Sequence, residues 1–279
     1  MTFWGIAFTV ALSVPTARGQ GGPRFEGQPG APGRSPETTE RRTEPAGTQS
    51  QGQAALQRAA EADKYVFLFF WKEKDRRTES LWDVCRSAMT RLGDRSDCVA
   101  VRVDAASERA VVERFGVSRA PLPLVLAVAP NGAVTKGFPG AFDEAQLRAA
   151  FVSHGTARCL KALQDRKLVL VCVQDLPPNR DRVTVPRGVA ALRSDAGYAR
   201  VTEVVALNAR DREETSFLQG LGVDPRSTQT TTVMLVPPGT IVGKFEGAVS
   251  KEQLTAQLAA ARSGSCAGGR CGPNGCGPR

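Results

Sequence analysis

The chain has 279 residues, 41% hydrophobic and 23% charged, and a net charge of +9 in which arginine far outnumbers lysine. That length suits roughly two domains of about 100–200 residues, and the apolar content supplies a core. The positive charge is spread out, no run of five or more Lys/Arg occurs, and aromatics are only 6%. A nucleic-acid groove needs a concentrated basic stripe with stacking platforms, so nucleic acid is excluded as an expected partner.

The first residues, Met1-Thr-Phe-Trp-Gly-Ile-Ala-Phe-Thr-Val-Ala-Leu-Ser-Val14, are apolar for too short a stretch to span a bilayer, which takes about 20 residues. Ala17 and Gly19 have the size and spacing of a signal-peptidase site, so residues 1–19 are read as a signal peptide despite the missing basic n-region. The expectation is an exported protein, periplasmic or secreted, of bacterial type, with no transmembrane span in the mature chain. Residues 20–53, rich in Gly, Pro, Ser, Thr and Gln, read as a disordered linker.

From residue 54 the pattern becomes globular. Gln53–Asp63 predicts a helix with one apolar face. Tyr65-Val-Phe-Leu-Phe-Phe-Trp71 predicts a strand buried on both sides. A helix is expected over about 79–92, a strand over 98–104, and a helix over 108–115 stopped by Gly116. A strand from Leu124 turns at Pro130-Asn131-Gly132 into a strand over 133–138, and Asp143 caps a closing helix that runs to Val152. The second half repeats the plan: Lys64–Phe70 matches Lys167–Val173, and Gly132–Phe151 aligns without gaps on Gly239–Leu258. Within that window Gly132/Gly239, Phe138/Phe245, Gly140/Gly247, Gln146/Gln253 and Leu147/Leu254 coincide. A strand over 201–208, a helix over 213–221 and a strand over 231–236 fill the remaining slots.

The buried strand ending in Phe70-Trp71 and running into Lys72-Glu-Lys-Asp75-Arg76-Arg77-Thr78 resembles the first βα unit of the thioredoxin superfamily. The resemblance covers residues 54–262. It implies an α/β fold of two tandem thioredoxin-like domains, 54–153 and 154–262, each a central mixed sheet flanked by helices. A flexible Cys/Gly/Pro tail, 263–279, follows. In that family a Cys-x-x-Cys pair sits at the positions held here by Asp75 and Thr78, which carry no sulfur. Dithiol exchange needs a thiolate nucleophile and a second sulfur to resolve the mixed disulfide, so the motif is degenerate and no catalytic residue is assigned. The resemblance also implies a cis-proline facing that motif. Gly116-Val-Ser-Arg-Ala-Pro121 fits one family spacing and Pro123-to-turn fits another, two residues apart; Thr228 and Thr230 stand at the matching places of the second repeat.

The candidate binding set is therefore Trp71, Asp75, Arg76, Arg77, Thr78, Pro121 and Pro123, facing a protein or peptide. Arg76 and Arg77 suit an anionic partner, against the plainer reading of a solvated helix start. Cys85, Cys98, Cys159 and Cys172 are candidates for disulfides, the neighbouring pairs each thirteen residues apart, or for inert buried thiols. In the tail, Cys266, Cys271 and Cys276 at Cys-x4-Cys-x4-Cys spacing are read first as an intermolecular cross-link, then as a soft-metal site, then as a mobile redox arm. His154, the only histidine, is read as an ordinary exposed residue. No cofactor is expected. The reading is a redox-inactive envelope scaffold or binding module; its alternatives are an atypical thiol-disulfide oxidoreductase and a tail that binds metal.

Overall fold

The computed structural model describes residues 50–176, 183–227 and 229–264. The predicted signal peptide, the linker up to residue 49, the tail cysteines and Thr228 lie outside them. In chain order the first repeat comprises α1 (Gln51–Glu61), β1 (Tyr65–Trp71), α2 (Arg76–Leu92), β2 (Ser96–Arg102), α3 (Arg109–Arg114), β3 (Leu124–Val128), β4 (Val134–Pro139) and α4 (Glu144–Arg148). The second comprises α5 (His154–Gln164), β5 (Leu168–Gln174), α6 (Arg187–Ser194), β6 (Thr202–Asn208), α7 (Thr215–Gly220), β7 (Thr231–Val236), β8 (Thr240–Glu246) and α8 (Lys251–Gly264). Among the described residues no helix is long and apolar enough to cross a membrane.

Each repeat builds one four-stranded sheet, in the orders β2-β1-β3-β4 and β6-β5-β7-β8. The central strand is parallel to the strand after the crossover helix and antiparallel to the first strand of the hairpin. Alternation within β1 explains its unbroken apolar run. Phe67 and Phe69 face a core closed by α2 and α4, while Val66, Leu68 and Phe70 face one closed by α1 and α3. In β5, Val169, Val171 and Val173 face α5 and α7, and Leu168, Leu170 and Cys172 face α6 and α8.

Several ends differ from the predicted ones for local reasons. Helix α2 starts at Arg76 rather than 79 because Asp75 already caps it. Helix α1 begins at Gln51 behind the cap Ser50, inside the stretch read as linker. Helix α4 is shorter than its predicted reach to Val152, whose N–H and C=O are both taken by the Tyr65 hydroxyl, each at 3.1 Å. Its cap is the expected Asp143, in a reciprocal box with Gln146. Ser250 and Gln253 repeat the arrangement at the start of α8, which gives the coincidence of Gln146 with Gln253 its physical reason.

The repeats meet through α5. Its Ala157 packs into the first repeat's core, while Cys159, Ala162 and Leu163 pack into the second's. Gln164 closes the edge of β4: its Oε1 accepts from the Val134 N–H at 2.9 Å, and its Nε2 donates to the Val134 carbonyl at 2.7 Å. An edge strand left with bare N–H and C=O groups invites foreign pairing, and a side-chain amide removes that opening.

Candidate functional site

At the C-terminal end of β1 the chain turns through Lys72–Lys74 into α2. The Asp75 carboxylate accepts the Thr78 N–H at 2.7 Å, satisfying one of the four orphan donors of the helix start. That backbone bond, then one from the buried Thr78 hydroxyl, holds the Asp75 carboxyl below the usual carboxylate range. The two positions where the resemblance places sulfurs are thus occupied by a helix cap.

Across from this cap the Leu122–Pro123 bond is cis, which decides between the two candidate prolines; Pro121 is exposed and its bond is not cis. The Pro123 carbonyl accepts from the Gly140 N–H at 2.9 Å. Gly140 adopts φ 72°, and Arg77 Nη2 lies 2.9 Å from where a Cβ on it would stand. The guanidinium therefore occupies the space a side chain at 140 would take, beside the proline. Trp71 borders the same mouth, its carbonyl bonded by the Val103 N–H at 2.9 Å and its ring 5.9 Å from the Arg102 guanidinium carbon. Arg102 is in turn forked onto Asp104, at 2.6 and 3.0 Å. Arg76 is exposed. The register of β1 with β3 sets Trp71 next to Pro123, and Arg77 reaches Gly140 beside that proline; Asp75 and Thr78 form the cap that precedes and follows Arg77, and Arg76 and Pro121 are exposed.

The second repeat keeps the frame and changes the contents. Gly247 N–H bonds the Thr230 carbonyl at 2.8 Å, as Gly140 bonds Pro123, each residue displaced by the same offset. Thr230 thus replaces the cis-proline at that position, as expected. The other cis bond among the described residues, Pro237–Pro238, lies instead in the β7–β8 turn. Gln174 stands where Trp71 stands and bonds across the mouth, donating to Thr230 Oγ1 at 2.9 Å and to the Thr184 carbonyl at 2.8 Å. It also accepts from the Thr184 N–H at 2.7 Å. Among the described residues the first repeat has no such side-chain bond between the matching positions, Trp71 and Pro123.

Both repeats have the thioredoxin fold. Solved structures similar to the chain include the germline-specific thioredoxin Deadhead of Drosophila, 19% identical over 36% of this chain and 90% of that one, with a TM-score of 0.29. A thioredoxin of Malassezia sympodialis is 23% identical over 37% and 86%, with a TM-score of 0.29. The NTD_N/C domain of the alkylhydroperoxide reductase AhpF from Enterococcus faecalis is 14% identical over 74% and 98%, with a TM-score of 0.26. No family model matches the sequence, and no curated protein matches it. Similarity at this level assigns no residue roles; the fold assignment rests on strand order, crossover and hairpin.

The thioredoxin fold also sorts the cysteines. Cys85 of α2 and Cys98 of β2 form a disulfide, both against the same core. Cys159 and Cys172 do not pair and remain buried thiols, correcting that candidate bridge. The reason is the sheet itself: Cys159 packs on one face of it and Cys172 on the other. Burial pushes the Cys159 thiol up to about 12, helped by the Glu214 charge, and the Cys172 thiol up to about 11. Neither is a ready nucleophile. His154 is exposed in the first turn of α5.

Sequence reasoning missed a device present in both repeats. Buried Glu108 accepts from the Ser50 hydroxyl at 2.7 Å and the Gln51 and Gly52 N–H groups at 2.6 and 3.2 Å. Glu214 accepts likewise from the Ser153 hydroxyl at 2.6 Å and the Gly155 N–H at 2.7 Å. Glycine leaves room for these carboxylates: a Cβ would meet them at 3.0 Å at residue 52 and at 2.6 Å at residue 155, where something must shift. The readable signal was Ser-x-Gly at residues 50–52 and again at 153–155, in the offset of the matching strands.

Proposed function

We propose that this is a thioredoxin-fold binding module: the mouth of the first repeat holds an extended protein or peptide segment, and no dithiol chemistry occurs there. The observation that carries the reading is the Asp75–Thr78 cap, which puts a carboxylate and a hydroxyl where exchange needs two sulfurs. Backbone pairing of an extended segment with the chain that enters β3 at Leu122–Pro123, next to Trp71, is the mode of recognition. Export to an envelope or secreted location, and a scaffold role there, belong to the same proposal and rest on the N-terminal sequence.

An oxidoreductase working through Cys85 and Cys98 is the weaker reading. Cys85 is buried and lies ten residues along α2 from Asp75, about 15 Å at the helical rise, so this disulfide is far from the mouth. Redox exchange needs an accessible sulfur.

Insulin reduction tests the chemistry. The native chain should be inactive, whereas Asp75→Cys combined with Thr78→Cys should gain turnover; native activity at a thioredoxin-like rate would sink the reading. Hydrogen exchange with and without an unfolded polypeptide tests the binding, with protection expected at residues 71–78 and 121–124.

A further inference from the structure

We propose that the segment held at the first mouth is acidic and places a carboxylate on Arg77. The inference rests on the mouth being a binding surface and names the chemistry of what it binds. Arg77 Nη2 lies over Gly140, and the Gly140 N–H is bonded to the Pro123 carbonyl, so this exposed guanidinium stands beside the backbone at which a strand would seat.

Several neighbouring charges are engaged, whereas Lys72 and Arg76 are exposed, form no ion pair among the described residues and add positive charge beside Arg77. Lys74 pairs with Glu79 at 3.5 Å, Arg102 pairs with Asp104, and the Asp75 carboxylate is spent on the helix cap. Glu73 is exposed on the loop. Among the described residues Arg77 makes no ion pair, and its attraction to Asp75 acts at longer range. A guanidinium fork of this kind matches a carboxylate bidentately, in a way an ammonium cannot. In the second repeat the neutral Gln174 amide stands where Trp71 does and donates to Thr230 Oγ1.

The test uses the full chain and three extended peptides, identical except for Glu, Gln or Lys at alternating positions, followed by fluorescence anisotropy. The Glu peptide should bind about ten-fold tighter than the Gln peptide at low salt. That advantage should collapse in about 1 M salt, where the screening length is about 3 Å. Arg77→Glu should reverse the ranking of the Glu and Lys peptides, and Arg77→Lys should lose most of the Glu advantage. Arg200→Glu, on the second repeat, should change nothing. If Arg77→Glu fails to fold, Arg77→Gln makes the same test, with the advantage abolished rather than reversed. Equal affinity for Glu and Gln peptides, or an advantage that survives the Arg77 variants, overturns the acidic partner and leaves the binding surface standing. Binding of none of the three overturns both.

Discussion

Gln174 Nε2 donates to Thr230 Oγ1 at 2.9 Å, joining the two positions that in the first repeat are Trp71 and the cis-linked Pro123. One frame thus carries different contents in its two copies, and in the second the Gln174 side chain also bonds both backbone groups of Thr184. Gln174→Ala removes three hydrogen bonds from a partly buried site. A loss of about 1–2 kcal/mol in urea unfolding is expected, together with faster hydrogen exchange at residues 183–186. Unchanged exchange there would mean the amide is not the latch.

Asp75 predicts a pH signature. The Thr78 bonds depress its folded pKa, so its contribution is fully present above the ordinary carboxylate pKa and is lost as pH falls through the depressed value. The stability gap between the native chain and Asp75→Ala should therefore be constant near neutral pH and close in acid. Asp75→Asn, which still accepts the Thr78 N–H, should sit nearer the native chain at neutral pH. Thermal melts across a pH series make the measurement, and a gap that widens in acid would contradict the cap.

The Cys85–Cys98 disulfide closes a loop with a sequence separation of 13 between α2 and β2. By chain entropy such a loop contributes about 3 kcal/mol, and the chain should lose that much on Cys85→Ala with Cys98→Ala. Because the pair stands away from the mouth, peptide binding should survive the change. Loss of binding with little loss of stability would point instead to a working disulfide.

How much of this was readable in the chain depends on how local each cause was. The bounds of β1 followed from seven apolar residues in a row, and Gly116 ends its helix at φ 61° as a glycine stop should. The Asp143 cap was legible because its partner Gln146 is three residues away. Gln174 and Thr230 are 56 residues apart, and nothing in either segment announces the other. The same holds for Glu108, whose task is to cap a helix that begins 57 residues earlier. At Asp75 the missing sulfur drew attention to lost chemistry, while the capping chemistry that also sets the start of α2 went unread. Cys159 and Cys172 shared the spacing of the bonded pair, but spacing does not say which face of a sheet each thiol takes.

Those two thiols make a prediction of their own. With pKa values raised to about 12 and about 11, they should resist iodoacetamide at pH 8 in the folded chain and label fully in denaturant. Peptide mapping separates them from the cysteines of the tail. A raised thiol pKa favours the folded state below the unfolded value and loses that contribution as pH climbs through the folded one, so labelling should rise steeply only in strong alkali. Rapid labelling of Cys159 at neutral pH would show that α5 opens readily between the repeats.

Gly188 supplies the most severe single change. It lies in the first turn of α6, where a Cβ would stand 2.1 Å from the Val249 carbonyl oxygen and 2.6 Å from the Ser250 carbonyl carbon. Both obstacles are backbone, so no rotamer relieves the clash, and α6 must move away from the chain entering α8. That movement would pull Val189 and Leu192 out of register with Leu254 and Leu258 in the shared core. Gly188→Ala should therefore cost about 3 kcal/mol, although alanine is the better helix former. The neighbouring exposed residue gives the control: Ala190→Gly should cost about 1 kcal/mol from propensity alone. If Gly188→Ala were instead stabilising in urea unfolding, the close approach of α6 to residues 249–250 would be wrong, and with it the packing that closes the second repeat's core.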